Sequence, residues 1–133
     1  DRLCPTKDYN VTFERGTRIA YADRAHLFIS GTASIDRAGE VVHPGDALRQ
    51  LDHTIANIEA LLRAGAAGLD DLMHLLVYLR DPTDLARVDG YLASRFPGLP
   101  RLVVHGPVCR PEWLVEVEGI AVTPNDAPEL PSF

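Results

Sequence analysis

Eight residues in the middle of the chain, Leu72-Met-His-Leu-Leu-Val-Tyr-Leu79, are almost continuously apolar and stand between two stretches with helical periodicity. A run this short does not make a buried helix, but it has the length and composition of a central strand covered on both faces. The flanking stretches supply one cover. Leu48, Leu51, Ile55, Ile58 and Leu62 recur at spacings of three and four behind a candidate N-cap, Asp46. They predict an amphipathic helix of about five turns that ends near Gly65. Leu85, Val88, Leu92 and Phe96 mark a second helix. It is started by Arg80-Asp-Pro-Thr-Asp84, with a proline at the helix start and capping oxygens, and closed by Pro97-Gly-Leu-Pro100.

The remaining apolar segments read as strands. Residues 17–21 and 26–32 are joined by Ala22-Asp-Arg-Ala25, a natural hairpin connection, and Asp36-Arg-Ala-Gly39 makes the next turn. Residues 101–108 and 114–123 are rich in Val, Leu and Ile, with Cys109-Arg-Pro-Glu112 between them, which predicts a second β-hairpin with a bulged connection. The order ββ(β)αβαββ puts two helices on one face of a single mixed sheet, an α+β fold. The other sheet face is left partly apolar. Self-association is the simplest cover for it, the alternative being a monomer with a twisted and partly wet sheet. With 133 residues and 46% hydrophobic content the chain suits one domain. Residues 1–16 are expected to be irregular, 17–123 to form the domain, and 124–133 to be a tail.

Charge narrows the choice of partners. A net charge of -6 without any cluster of Lys and Arg lacks the electrostatic footprint of a nucleic-acid binder, so a small metabolite is the better partner. Two cysteines, Cys4 and Cys109, at opposite ends of the chain fit a reducing compartment better than a disulfide framework, which points to the cytoplasm. No apolar run approaches the roughly 20 residues that span a bilayer, so no membrane role is expected. The first residues lack a signal-peptide pattern, and a start at Asp1 leaves open that the chain was processed or excised from something longer. His26, His43, His53, His74 and His105 show no metal-ligand spacing, and no glycine-rich nucleotide motif occurs, so neither metal nor cofactor is expected. Asn10-Val-Thr12 fits a glycosylation sequon and is attributed to chance.

The chemistry-bearing residues gather near the end. Side chains alternate along a strand, so Arg101, Val103 and His105 share one face of the first segment, and Glu116 and Glu118 share one face of the second. A guanidinium offers a rigid fork to a carboxylate, so Arg101 suits the anchor of a small acid, and Glu116 suits a general acid or base if its pKa sits near the working pH. The alternatives are a solvated face for Glu116 and Glu118, and an ion pair between Arg101 and one of them. Cys109 is a nucleophile only with a partner that makes a thiolate, Arg110 and His105 being near in sequence; it reads more readily as a small buried core residue and is kept as a pocket wall. Arg110 and Glu112 fit contacts to a second carboxylate or a ring hydroxyl, or an exposed turn pair. Trp113 reads as packing rather than as a stacking platform.

The order of elements also carries a resemblance. With Ile29-Ser-Gly-Thr32, Gly39-Glu40, Asn57-Ile-Glu59, Val77-Tyr-Leu-Arg-Asp81, Pro100-Arg101 and Val115-Glu-Val-Glu-Gly-Ile-Ala-Val122, residues 17–123 resemble the reactive intermediate deaminase family, also called RidA or YjgF. Arg15-Gly-Thr-Arg18, Ser30-Gly-Thr-Ala-Ser-Ile-Asp36, Val41-Val-His-Pro-Gly45 and His105-Gly-Pro-Val-Cys-Arg-Pro-Glu-Trp113 are more similar to the C-terminal half of chorismatases, which hydrolyse chorismate. The resemblance implies a barrel-cored homotrimer with sites in the clefts between subunits. It implies that Arg101 grips the substrate carboxylate and that Glu116 orders the reacting water or supplies the acid. Gly31 matches a backbone contact to ligand, and Thr32, Tyr78, Asp89, Val103, Cys109, Arg110 and Glu112 are counted with it as substrate-binding. Asp89 stands where the deaminases often carry asparagine, and Val103 where they often carry cysteine. The aromatic residue that deaminases place ahead of the first long strand has no clear counterpart, Thr17 or Arg15 being nearest. Chorismatases have a further N-terminal domain that these residues do not supply.

Three classes of function stay open. One is a hydrolase of a small unsaturated acid, by imine or enamine deamination or by cleavage of a chorismate-like enol ether. Another is a binding protein that keeps the pocket without turnover. The third, a ribonuclease or translation inhibitor, is disfavoured by the acidic charge.

Overall fold

The computed structural model describes residues 3, 6 and 13–132, so Cys4 and the sequon lie outside the described residues. Five strands and two helices follow in the order β1 (Gly16–Ala20), β2 (Arg24–Ala33), α1 (Ala47–Ala64), β3 (Leu72–Leu79), α2 (Leu85–Arg95), β4 (Arg101–His105) and β5 (Val115–Pro124). The bracketed third strand of the expected order is reduced to a single bridge between Ile35 and Val41.

Local signals set the helix ends. Asp46 accepts the Arg49 N–H at 3.1 Å as the N-cap of α1, and the Gly65 N–H closes the other end on the last carbonyls. Asp81 takes the Thr83 N–H at 2.9 Å ahead of a short 3-10 turn, Pro82–Asp84, that leads into α2. The predicted apolar stripe of α1 is the one it buries. Leu51, Ile55, Ile58 and Leu62 are essentially inaccessible, each contributing about 2 kcal/mol of burial, while Leu48 is only partly covered. In α2, Val88 and Leu92 reach the core, whereas Leu85 is exposed.

Both helices lie on one face of a single mixed sheet whose strand order is β1-β2-β5-β3-β4. All neighbours are antiparallel except β3 and β4, which run parallel. The second hairpin expected from the sequence therefore does not form. β3 stands between β4 and β5, because the helix between β3 and β4 makes a crossover that returns the chain parallel to β3 at the sheet edge. The connection from residue 106 to residue 114 then carries the chain past β3 to its other side.

Register settles which side chains face the helices. Arg101 lies beside Leu75 and Val103 beside Val77, and both partners are in the helix-side core. Glu116 lies beside Tyr78 and Glu118 beside Leu76, in the alternate set that points to the open face. That open face also carries Phe28, Ile120, Leu76 and Leu102, of which Leu102 is 60% exposed.

Candidate functional site

Glu116 and Glu118 project from the open face of the sheet beside an irregularity in β2. Between Ile29 and Thr32 the register with β5 shifts, so Ser30 and Gly31 form a bulge in the ladder. The bulge brings the backbone of Gly31 against the Glu116 carboxyl. A Cβ at position 31 would lie 3.0 Å from Glu116 Cδ and nearer still to Oε1, so any other residue there displaces the carboxyl from this position. Ser30 also holds the segment ahead of β1: its N–H donates to the Arg15 carbonyl at 3.1 Å and its hydroxyl to the Glu14 carbonyl at 2.6 Å. Phe13 and Arg15 are thereby placed beside the two glutamates.

The fourth side is the connection between β4 and β5. Arg80, at the end of β3, donates Nε to the Trp113 carbonyl and Nη2 to the carbonyls of Val108 and Arg110, all at 2.8 Å. Gln50, fully buried on α1, donates to the Glu112 carbonyl and accepts the Leu114 N–H, both at 2.9 Å. These bonds hold the connection around the end of β3, with Cys109 and Arg110 on the cavity wall. Arg110 lies 5.2 Å over the Trp113 ring and donates to the Gly39 carbonyl at 2.8 Å.

Together these elements enclose a cavity of about 340 Å³, within the range of small-molecule sites. Glu116, Glu118, Arg15 and Arg110 give it charge, Phe13 and Trp113 give it aromatic walls, and Gly31 and Cys109 line it as well. A larger hollow of about 640 Å³ lies between β1 and the end of α1. Its floor of Leu27, Ile29, Leu61 and Ala64 is apolar, and the charged groups on its wall are Glu14, Arg15 and Arg18, so it gathers no pair of carboxyls like Glu116 and Glu118.

Burial raises the Glu116 carboxyl above the usual carboxylate range, and the negative charge of Glu118 adds to the effect. An acid so placed holds its proton to higher pH than a solvated one. Tyr78 donates to Glu118 Oε2 at 3.4 Å, and burial together with that carboxylate pushes its phenol up. Among the described residues no group of three His, Cys, Asp or Glu side chains is placed to hold a metal ion.

Of the residues singled out from the sequence, Gly31, Cys109, Arg110 and Glu116 meet in this cavity. Cys109 is exposed on its wall rather than buried in the core, because the connection that carries it rounds the end of β3, tied to Arg80, instead of entering the sheet. Tyr78 stands next to the cavity through Glu118. Thr32 is buried, its hydroxyl turned back to the Ser30 carbonyl at 2.8 Å, and Glu112 contributes only its carbonyl, to Gln50. Val103 packs on the helix-side core.

Arg101 departs most from expectation. It is three rows along and two strands across from Glu116, about 14 Å between backbones, and on the opposite face of the sheet. Its ion-pair partner is neither Glu116 nor Glu118 but Asp89 on α2, with Nε to Oδ1 at 2.8 Å. Phe13 escaped the sequence reading altogether. The signal that reaches it is the alternation Phe13, Arg15, Thr17, which runs into β1 from three residues ahead of its first pairing at Gly16.

An open mixed sheet backed by two helices, with a half-buried glutamate held against a bulge glycine, defines the class. The endoribonuclease L-PSP family profile matches residues 17–123, and the chain belongs to that family, within the RidA/YjgF superfamily. Among solved structures it is similar to RidA from an Antarctic Psychrobacter, at 21% identity over 92% of this chain and 94% of that one, with a TM-score of 0.76. It is similar to E. coli TdcF with bound serine, at 20% identity over 92% and 94%, with a TM-score of 0.74. It is also similar to a chorismatase, at 31% identity over 83% of this chain, with a TM-score of 0.75, and spans 36% of that longer protein. Among the described residues no helix is long and apolar enough to cross a membrane.

Proposed function

We propose that the chain is a hydrolase of a small unsaturated carboxylic acid, with Glu116 as the acid that delivers a proton or positions the reacting water. The observation that carries this reading is the Glu116 carboxyl itself, held against Gly31 at the floor of a ligand-sized cavity with its proton affinity raised by burial. For an enol ether, protonation of the terminal alkene carbon by Glu116 gives an oxocarbenium ion; water adds to it, and the hemiketal collapses with loss of the alcohol. For an imine, the same carboxylate takes a proton from the attacking water.

Arg101 anchors the substrate carboxylate in this reading, from a neighbouring copy. Within one chain it faces away from Glu116, so the two can share a ligand only across a subunit cleft. The apolar open face, with Leu102 and Phe28 uncovered, supports packing of copies against one another, as a homotrimer whose sheets close a central barrel. Phe13, Trp113 and Arg110 around Glu116 suit a ring-bearing acid, and the 31% identity to a chorismatase supports the enol-ether branch. Asp89 and Val103, which replace residues common in the deaminases, are what favour a second reading, a binding protein of the same fold without turnover.

Incubation with chorismate, and separately with 2-iminopropionate generated in place, separates these readings when pyruvate and ammonia are followed. Pyruvate without ammonia from chorismate is the expected result, reduced more than about a hundredfold in Arg101→Ala and Glu116→Gln. Pyruvate with ammonia from the imine assigns deamination. Silence with both, alongside retained binding of benzoate, assigns the binder, and full activity in R101A removes the anchor.

A further inference from the structure

Asp89 holds Arg101 in a particular way. Its Oδ1 takes the Nε hydrogen at 2.8 Å, the one hydrogen bond of the Arg101 side chain among the described residues. A guanidinium gripped at Nε keeps its two terminal Nη groups as an end-on fork, the geometry that binds a carboxylate through two parallel bonds. The backbone beneath is fixed, because Arg101 is the first residue of β4, paired with the buried Leu75. The aspartate is half exposed on α2 and the arginine side chain is 20% exposed, so a ligand can reach the pair from one side.

The pair is also neutral as a whole. A carboxylate arriving at the Nη fork is attracted by the guanidinium and repelled by Asp89 a few ångströms behind it, and solvent screening at a partly exposed site leaves the attraction reduced rather than abolished. An arginine with no counter-ion would draw any monoanion.

We propose that Asp89 is a positioning and specificity-determining residue of the anchor: it aims the Nη fork of Arg101 and lowers its affinity for a lone carboxylate, so that retention of a ligand requires a further contact in the cavity. This rests on the reading of Arg101 as the substrate anchor. Arg15 and Arg110, both on the wall of the Glu116 cavity, are the groups that can make that further contact. The site then discriminates by where its ligand carries polar groups rather than by charge alone.

Calorimetric titration with benzoate, and with benzamide as its uncharged counterpart, tests this on the intact protein. Asp89→Asn keeps an acceptor for Nε and removes the charge, so D89N is expected to bind benzoate about three- to tenfold more tightly than wild type, with benzamide unchanged. Asp89→Ala removes the acceptor as well and is expected to bind benzoate more weakly than D89N. Benzoate bound no more tightly by D89N than by wild type overturns the proposal, and so does a D89A variant that matches D89N, since nothing is then being aimed. Arg101→Ala separates the two levels: loss of benzoate affinity there upholds the anchor whatever Asp89 does, whereas unchanged affinity removes the anchor itself.

Discussion

The carboxyl of Glu116 owes its setting to a missing methyl group. Because Gly31 has no side chain, the β2 bulge can close on the acid and withdraw it from solvent, and withdrawal is the larger of the two causes that raise its pKa. The raised value has a consequence for stability. A folded chain that binds this proton more tightly than the unfolded chain has the full benefit below the ordinary carboxylate range, near pH 4, and loses it as pH rises through the folded-state value. Glu116→Gln, neutral at every pH, is therefore expected to melt at a higher temperature than wild type at pH 7 to 8 and to converge with it at about pH 4. Thermal unfolding monitored across that range checks it, and a pH-independent difference would show that the proton is not involved. At this scale the sequence spoke unevenly. Arg101 and Glu116 stood out by residue type and spacing, but the proximity of Phe13 and Arg15 to Glu116 depends on hydrogen bonds to Ser30, which no local pattern encodes.

The elements show why two adjacent strands need not pair. Alternation along residues 101–105 and 115–124 reveals which side chains share a face within each strand, and that reading holds for Glu116 and Glu118. It says nothing about which strands are neighbours. The clue lay upstream, in α2 between β3 and β4, since a strand, helix, strand sequence favours a parallel crossover, and this leaves β3 with a free side for β5. The helix caps and the buried stripe of α1 were legible because they are set by residues three and four apart. The long connection ahead of β5 was not, for it is held from a distance by Arg80 and Gln50. Arg80→Ala removes three charge-assisted bonds to carbonyls that water can partly replace, so a loss of about 2 to 3 kcal/mol is expected in denaturant unfolding. Faster amide exchange confined to residues 106–114 and weakened benzoate binding should accompany it. A loss of stability with the connection still protected would locate the role of Arg80 elsewhere.

At the scale of the whole molecule, one sheet face is sealed by two helices and the other is left with Phe28, Ile120, Leu76 and Leu102 beside the acids. The sequence foretold this imbalance from the apolar run of β3 together with an element order that supplies helices for one face only. It did not foretell that Arg101 and Glu116 would part company across the sheet, since that follows from the parallel register of β4. On the proposed reading each chain then owns two unlike half-sites, and neither is of use to the chain that carries it. Inactive variants should therefore rescue one another. When Arg101→Ala and Glu116→Gln chains are unfolded together in equal amounts and refolded, about a quarter of the clefts combine an intact arginine with an intact glutamate, and activity should return to about that fraction of wild type. Refolding either variant alone should return none, and a mixture that stays silent would mean that each chain works by itself.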